Sequence, residues 1–222
     1  MENLCRYIDH TLLKPEAGRE EIARLCREAA EHNFYAVCVN SCHAAYAKSC
    51  LREMEKRGFS PVKLAVVAGF PLGACATEVK MFEADCACRA GADEIDMVIN
   101  IGALKEGRIN FVRDEITAVV RAAAKHGAIV KVILETCLLT EAEIRAACRL
   151  AGSAGAAFVK TSTGFSKGGA TPETVALMKA AAGSHVRVKA AGGIRTRAQA
   201  ESMIRAGADR IGTSSGIAII GE

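Results

Sequence analysis

The 222-residue chain has no tryptophan, only three tyrosines and four prolines, and no dominant charge of either sign. Its 29 basic and 25 acidic residues leave a net charge of +4. These charges are scattered, without the basic runs and interleaved aromatics of a nucleic-acid binder, so no nucleic-acid partner is expected. No uninterrupted apolar stretch approaches the ~18 residues of a membrane span, so no membrane partner is expected either. There is no CxxC pair: Cys38 and Cys42 are four apart and Cys86 and Cys88 two apart, spacings that argue against structural zinc. No metal is expected. The opening MENLCRYIDH offers neither an apolar signal segment nor a small-residue cleavage site. The ten cysteines are therefore expected to be reduced thiols of a cytoplasmic protein, most of them serving as small core residues. Low-complexity segments and Pro/Ser-rich linkers are missing as well, and half the residues are apolar, so residues 1–222 are expected to form one domain.

Short β-branched runs alternate with helical patterns from end to end. The strand-like runs are YIDHTLL, YAVCVN, VKLAVVAGF, EIDMVIN, IVKVILET, AFVKTSTG, VRVKAAGG and RIGTSS, eight in all. Between them, apolar residues take helical spacing, as at Ile22, Leu25, Cys26 and Ala29. Thr140 with Glu143 and Thr196 with Gln199 have capping-box spacing, and Thr171 precedes a proline at the first helical position. The repeated RAGADEIDMV and RAGADRIGTS place a glycine at a helix end just before a strand. Eight such units predict an α/β fold, the (β/α)8 TIM barrel. A doubly wound open sheet would call for GxGxxG after the first strand, and none is there.

Against that background, Lys160 in AAFVKTSTG and Lys189 in HVRVKAAGG are conspicuous, as is Asp96 in EIDMVIN. Burying an unpartnered charge costs several kcal/mol, roughly, unless the group goes neutral. One carboxylate and two amines on different strands therefore suggest amine chemistry on a carbonyl. An ammonium is unreactive, and a second cation close by favours the free amine. Lys131 in IVKVILET, with Glu135 on the same strand face, is expected to join the group. The alternative is a purely structural ion-pair network.

Gly192 and Gly193 after the seventh strand, and GTSSG with Ser214 and Ser215 after the eighth, fall where such barrels bind phosphate through backbone N–H groups. Lys167 and Arg195 lie nearby in sequence. Asp9 and His10 have no neighbouring nucleophile to activate, so Asp9 is expected to line the barrel floor or orient a substrate hydroxyl.

At VKTSTGF, together with DHTLLKP, EIDMVIN, KVILET, KAAGGIR and GTSSG, the chain closely resembles the deoxyribose-phosphate aldolase family, from Asp9 to Gly216. The resemblance implies a class I aldolase of deoxyribonucleoside catabolism that cleaves 2-deoxy-D-ribose 5-phosphate to D-glyceraldehyde 3-phosphate and acetaldehyde, with no cofactor or metal. It implies Lys160 as the Schiff-base nucleophile, Lys189 as the cation that favours its free amine, and Asp96 as the acid/base. Gly164, Gly192, Gly193, Ser214 and Ser215 are implied in phosphate binding, and Thr11 and Cys38 as pocket walls. Homo-oligomers, dimeric or larger, are common in the family. Two departures are visible: the chain stops at Glu222 without the tail tyrosine of longer members, and Phe165 follows TSTG where some members place a basic residue. The competing readings are another Schiff-base aldolase, distinguished by its donor, and a non-catalytic sugar-phosphate binder, which would not need three buried charges.

Overall fold

The computed structural model describes residues 4–221; residues 1–3 and Glu222, which belong to the expected single-domain span and its tail, lie outside the described residues. Eight parallel strands close into a barrel in chain order. They are β1 (Ile8–Leu12), β2 (Ala36–Val39), β3 (Lys63–Ala68), β4 (Glu94–Val98), β5 (Ile129–Ile133), β6 (Phe158–Lys160), β7 (Arg187–Ala191) and β8 (Arg210–Thr213). The crossovers carry α1 (Arg19–Glu31), α2 (Ala44–Lys56), α3 (Thr77–Arg89), the pair α4 (Ile101–Lys105) and α5 (Ile109–Ala124), α6 (Glu141–Ser153), α7 (Pro172–Ala182) and α8 (Arg197–Arg205), and α9 (Gly216–Gly221) follows β8. This is the (β/α)8 TIM barrel.

Local chemistry sets the element ends. Thr140 and Thr196 form capping boxes with Glu143 and Gln199, and Thr171 accepts from the N–H of Thr174 ahead of Pro172. The repeated RAGAD segments end their helices at Gly91 and Gly207, whose φ values of 103° and 109° suit glycine. The strands are shorter than the β-branched runs. β6 keeps only three residues because its chain leaves the sheet at the TSTG turn.

Side chains alternate between two environments. Outward residues such as Val37, Val66, Ile95, Val132 and Val188 pack against the inner faces of the helices, including Ile22, Leu25, Cys26 and Ala29 of α1. On the β2–β3 side the barrel interior is apolar, with Cys38, Ala65 and Val67 beside Leu13. The buried interior charges come instead from β1 and β4 to β8. All ten cysteines are free. Cys26, Cys38, Cys88 and Cys148 are buried and Cys5 and Cys50 pack at the core's edge, whereas Cys42 is exposed. No helix among the described residues is long and apolar enough to cross a membrane.

Candidate active site

Strand register brings the conspicuous charges together. Asp96 pairs with Lys131 across β4 and β5, and Lys160 with Lys189 across β6 and β7. Asp96 sits at the centre. Its Oδ1 accepts from Lys131 Nζ at 2.6 Å, and its Oδ2 accepts from Lys160 Nζ at 2.9 Å and from Lys189 Nζ at 2.8 Å. Lys189 also donates to Asp9 Oδ2 at 2.5 Å, and Arg210 donates to Asp9 Oδ1 at 2.8 Å. Lys131 reaches Glu94 at 2.6 Å. Three carboxylates thus face four basic side chains, all buried. The set is charge-balanced when one amine is unprotonated, and Lys160 is the amine with the fewest carboxylate partners.

Burial by itself raises the pKa of Asp96, but attraction to Lys131, Lys160 and Lys189 overcomes it and holds the carboxyl well below its ordinary range. Asp9 is likewise held low against burial by Lys189, Arg210 and Lys131. Burial pushes Lys189 down, yet Asp9 and Asp96 raise it above an ordinary lysine, and Asp96 and Glu94 do the same for Lys131. Asp9, Asp96, Lys131 and Lys189 are therefore charged near neutral pH.

Above this floor opens a cleft of about 240 Å³ at the C-terminal ends of the strands, lined by Thr11, Lys14, Lys160, Gly164, Gly192, Gly193, Arg195 and Ser214 among others. Lys160 is the interior lysine that reaches it. At the far end, no acceptor among the described residues takes the backbone N–H of Gly164, Gly193 or Ser214, which leaves donors for an anion. Gly169 permits the close approach of two loops: the Gly192 carbonyl accepts from Ala170 N–H at 3.0 Å, and a Cβ on the facing Gly169 would stand 2.2 Å from the Gly192 oxygen. An amine, a carboxylate relay and an anion cradle in one cleft suit imine chemistry on a small anionic carbonyl compound.

Comparison with known proteins agrees with this chemistry. Residues 4–221 match the DeoC/LacD family aldolases. The chain belongs to this family. It is 58% identical to the deoxyribose-phosphate aldolase of Thermococcus kodakarensis over 217 residues, 98% of this chain and 95% of that one. It is 57% identical to the Bdellovibrio bacteriovorus deoxyribose-phosphate aldolase over 217 residues, again 98% and 95% of the two chains. A solved deoxyribose phosphate aldolase from Aeropyrum pernix, described as having a unique tetrameric structure, superposes with a TM-score of 0.91 at 36% identity, covering 99% of this chain and 90% of the other.

Within this aldolase, several sequence-predicted residues sit somewhat apart from the cleft. Cys38 is fully buried with its Sγ 4.0 Å from Asp96 Oδ2, so it belongs to the floor, and burial raises its thiol pKa. Ser215 borders an adjoining cleft next to α1 and donates its N–H to Thr213 Oγ1 at 2.9 Å. Arg195 lines the main cleft, whereas Lys167 does not. His10 pairs with Glu28 of α1 at 2.7 Å. One expectation is corrected: Glu135 does not share the interior face of Lys131. β5 ends at Ile133, Glu135 takes a left-handed backbone with φ 55°, and its carboxylate turns to Thr163. Sequence reasoning missed Glu94, two residues before Asp96, and Arg210, which shares the interior face of β8 with Gly212, a residue assigned from the sequence to the loop beyond that strand. A strict period of two from Asp96 would have found Glu94.

Proposed function

We propose that this chain is a class I aldolase that reversibly cleaves 2-deoxy-D-ribose 5-phosphate into D-glyceraldehyde 3-phosphate and acetaldehyde, with Lys160 as the amine. The observation that carries the proposal is that Lys160, alone among the interior lysines, borders the open cleft while sharing a carboxylate oxygen with a second ammonium. The substrate is taken from the names of the relatives and suits the unpaired N–H groups at the anion end.

In the proposed cycle the free amine of Lys160 adds to the C1 carbonyl of the open-chain sugar. The carbinolamine loses water to give a protonated imine. The C3 hydroxyl then gives up its proton, the C2–C3 bond breaks, and its electron pair passes into the imine. D-Glyceraldehyde 3-phosphate leaves and an acetaldehyde enamine stays on Lys160. Protonation at C2 and addition of water release acetaldehyde and the amine. Asp96 and Lys189, bonded to each other and beside the Lys160 nitrogen, carry protons in the carbinolamine and enamine steps. Lys131 and Asp9 hold that pair in place, Thr11 lines the sugar end, and the Gly164, Gly192, Gly193 and Ser214 backbone receives the phosphate.

The enzyme works in the cytoplasm as a homo-oligomer in this proposal. The exposed apolar side chains of Leu72, Val79 and Phe82, 74%, 53% and 67% accessible, support self-association. The test of function is a coupled assay for D-glyceraldehyde 3-phosphate released from 2-deoxy-D-ribose 5-phosphate. Release by the wild type but not by Lys160→Ala supports the reading, and a wild type that releases none sinks it.

A further inference from the structure

We propose that Glu135 is a positioning residue for the anionic end of the substrate, acting through Thr163 on the turn that presents Gly164. The inference rests on the reading of the cleft as a sugar-phosphate site. Glu135 combines two costly features. It is a non-glycine residue in the left-handed region, at φ 55° and ψ 62°, a conformation that persists where surrounding structure enforces it. Glu135 is only 2% exposed, and no cation among the described residues lies within ion-pair distance of its carboxylate. Polar donors take the cation's place. Thr163 N–H approaches both carboxylate oxygens, at 3.4 and 3.3 Å, Thr163 Oγ1 donates a short hydrogen bond to Oε2, and Cys137 Sγ lies 3.9 Å from Oε1.

The backbone is shaped around this contact. Leu134 N–H donates to Lys160 O at 2.9 Å, and Thr136 N–H to Thr161 O at 3.0 Å. The β5 side therefore advances two residues while the β6 side advances one, a bulge with Glu135 at its centre. Thr163 Oγ1 in turn accepts the N–H of Phe165 at 3.0 Å. With Thr163 N–H, Thr163 Oγ1 and Phe165 N–H all committed to the Glu135 side, the turn around Gly164, at φ 86°, leaves the Gly164 N–H without a protein acceptor at the cleft. The carboxylate thus acts from behind the turn and selects which peptide donor faces the phosphate.

The decisive variant is Glu135→Gly, because glycine accepts φ 55° and the side chain that carries the carboxylate is removed without backbone strain. Steady-state constants are measured for 2-deoxyribose 5-phosphate and for unphosphorylated 2-deoxyribose, with the affinity for inorganic phosphate measured by calorimetry. The expected result is a KM for the phosphorylated sugar about tenfold higher, the scale of a lost hydrogen bond to a charged group. The affinity for phosphate falls about as much, kcat is little changed, and constants for the unphosphorylated sugar stay within about twofold. Glu135→Gln, which keeps one acceptor oxygen, recovers part of the loss. Thr163→Val removes the relaying hydroxyl and gives the same selective effect, also serving if Glu135→Gly does not fold. Equal losses for both sugars, or unchanged phosphate affinity, overturn the proposal. A wild type that binds phosphate but cleaves neither sugar defeats the aldolase reading instead, and the phosphate affinities still decide the role of Glu135.

Discussion

Lys160 and Lys189 donate to the same oxygen, Oδ2 of Asp96, at 2.9 and 2.8 Å, and of the two Lys160 alone borders the cleft. The shared acceptor keeps the two amines side by side. Asp9 takes the second bond of Lys189, so Lys189 is fixed as an ammonium between two carboxylates while Lys160 has only half of one. The proposed chemistry depends on that inequality.

Lys189→Met should therefore do more than remove a proton carrier. Asp9 and Asp96 each lose a buried partner, at a cost of about 3–5 kcal/mol in stability. Lys160 loses the second ammonium beside it and is left as the one lysine bonded to Asp96 Oδ2. Turnover is expected to fall about 10²–10⁴-fold, with borohydride trapping slowed in parallel. Urea unfolding and retro-aldol rates check the two effects separately.

The interior charges also set a pH window. Asp9 and Asp96 have depressed pKa values in the folded state, so their contribution is complete above the unfolded carboxylate pKa of about 3.9 and is lost as pH falls through the folded values. Lys131 and Lys189 are raised, so theirs is complete below the unfolded lysine pKa of about 10.4 and is lost as pH rises through the folded values. From these groups, thermal unfolding should show a plateau between about pH 4 and pH 10 with a loss on each side, and Lys189→Met should lower the plateau.

Gly212 of β8 tests the packing beneath the amines. A Cβ there would stand 2.9 Å from Lys189 Cε and 3.0 Å from the Ala191 Cβ. The lysine is held at its tip by Asp9 and Asp96 and has little room to give way. Gly212→Ala should cost about 1–3 kcal/mol through overpacking and lower kcat by displacing Lys189, while KM changes little.

A second buried ion pair lies outside the barrel interior and should separate stability from chemistry. Lys80 Nζ donates to Gly73 O at 2.7 Å, Val98 O at 2.9 Å and Glu115 Oε1 at 2.8 Å. Lys80→Met leaves Glu115 buried without its cation, which should cost about 3–5 kcal/mol. Burial already raises the Glu115 pKa against the pull of Lys80. The deficit in Tm should therefore be largest near neutral pH and narrow as acid protonates the carboxylate, with kcat largely retained.

Much of this architecture was legible in the residues. Alternation of β-branched runs with capped helical patterns predicted the barrel, and Asp96, Lys160 and Lys189 were visible because each interrupts an apolar run. The paired glycines after β7 line the cleft, as their place at a strand end suggested. Glu94 and Arg210 escaped notice because they stand at strand starts, where a charge usually reaches solvent; here Arg210 is buried, its guanidinium 3.4 Å from the Tyr35 ring centre. The turn at Glu135 was hidden for a different reason. Nothing in KVILET marks a left-handed residue, and the partner of its carboxylate, Thr163, lies 28 positions further along the chain.

The most direct test of the account is borohydride reduction of the folded enzyme in the presence of acetaldehyde, followed by peptide mass mapping. A two-carbon adduct on Lys160, absent from Lys160→Ala, is the predicted result. An adduct on Lys189 or Lys131, or none on folded protein, would contradict it.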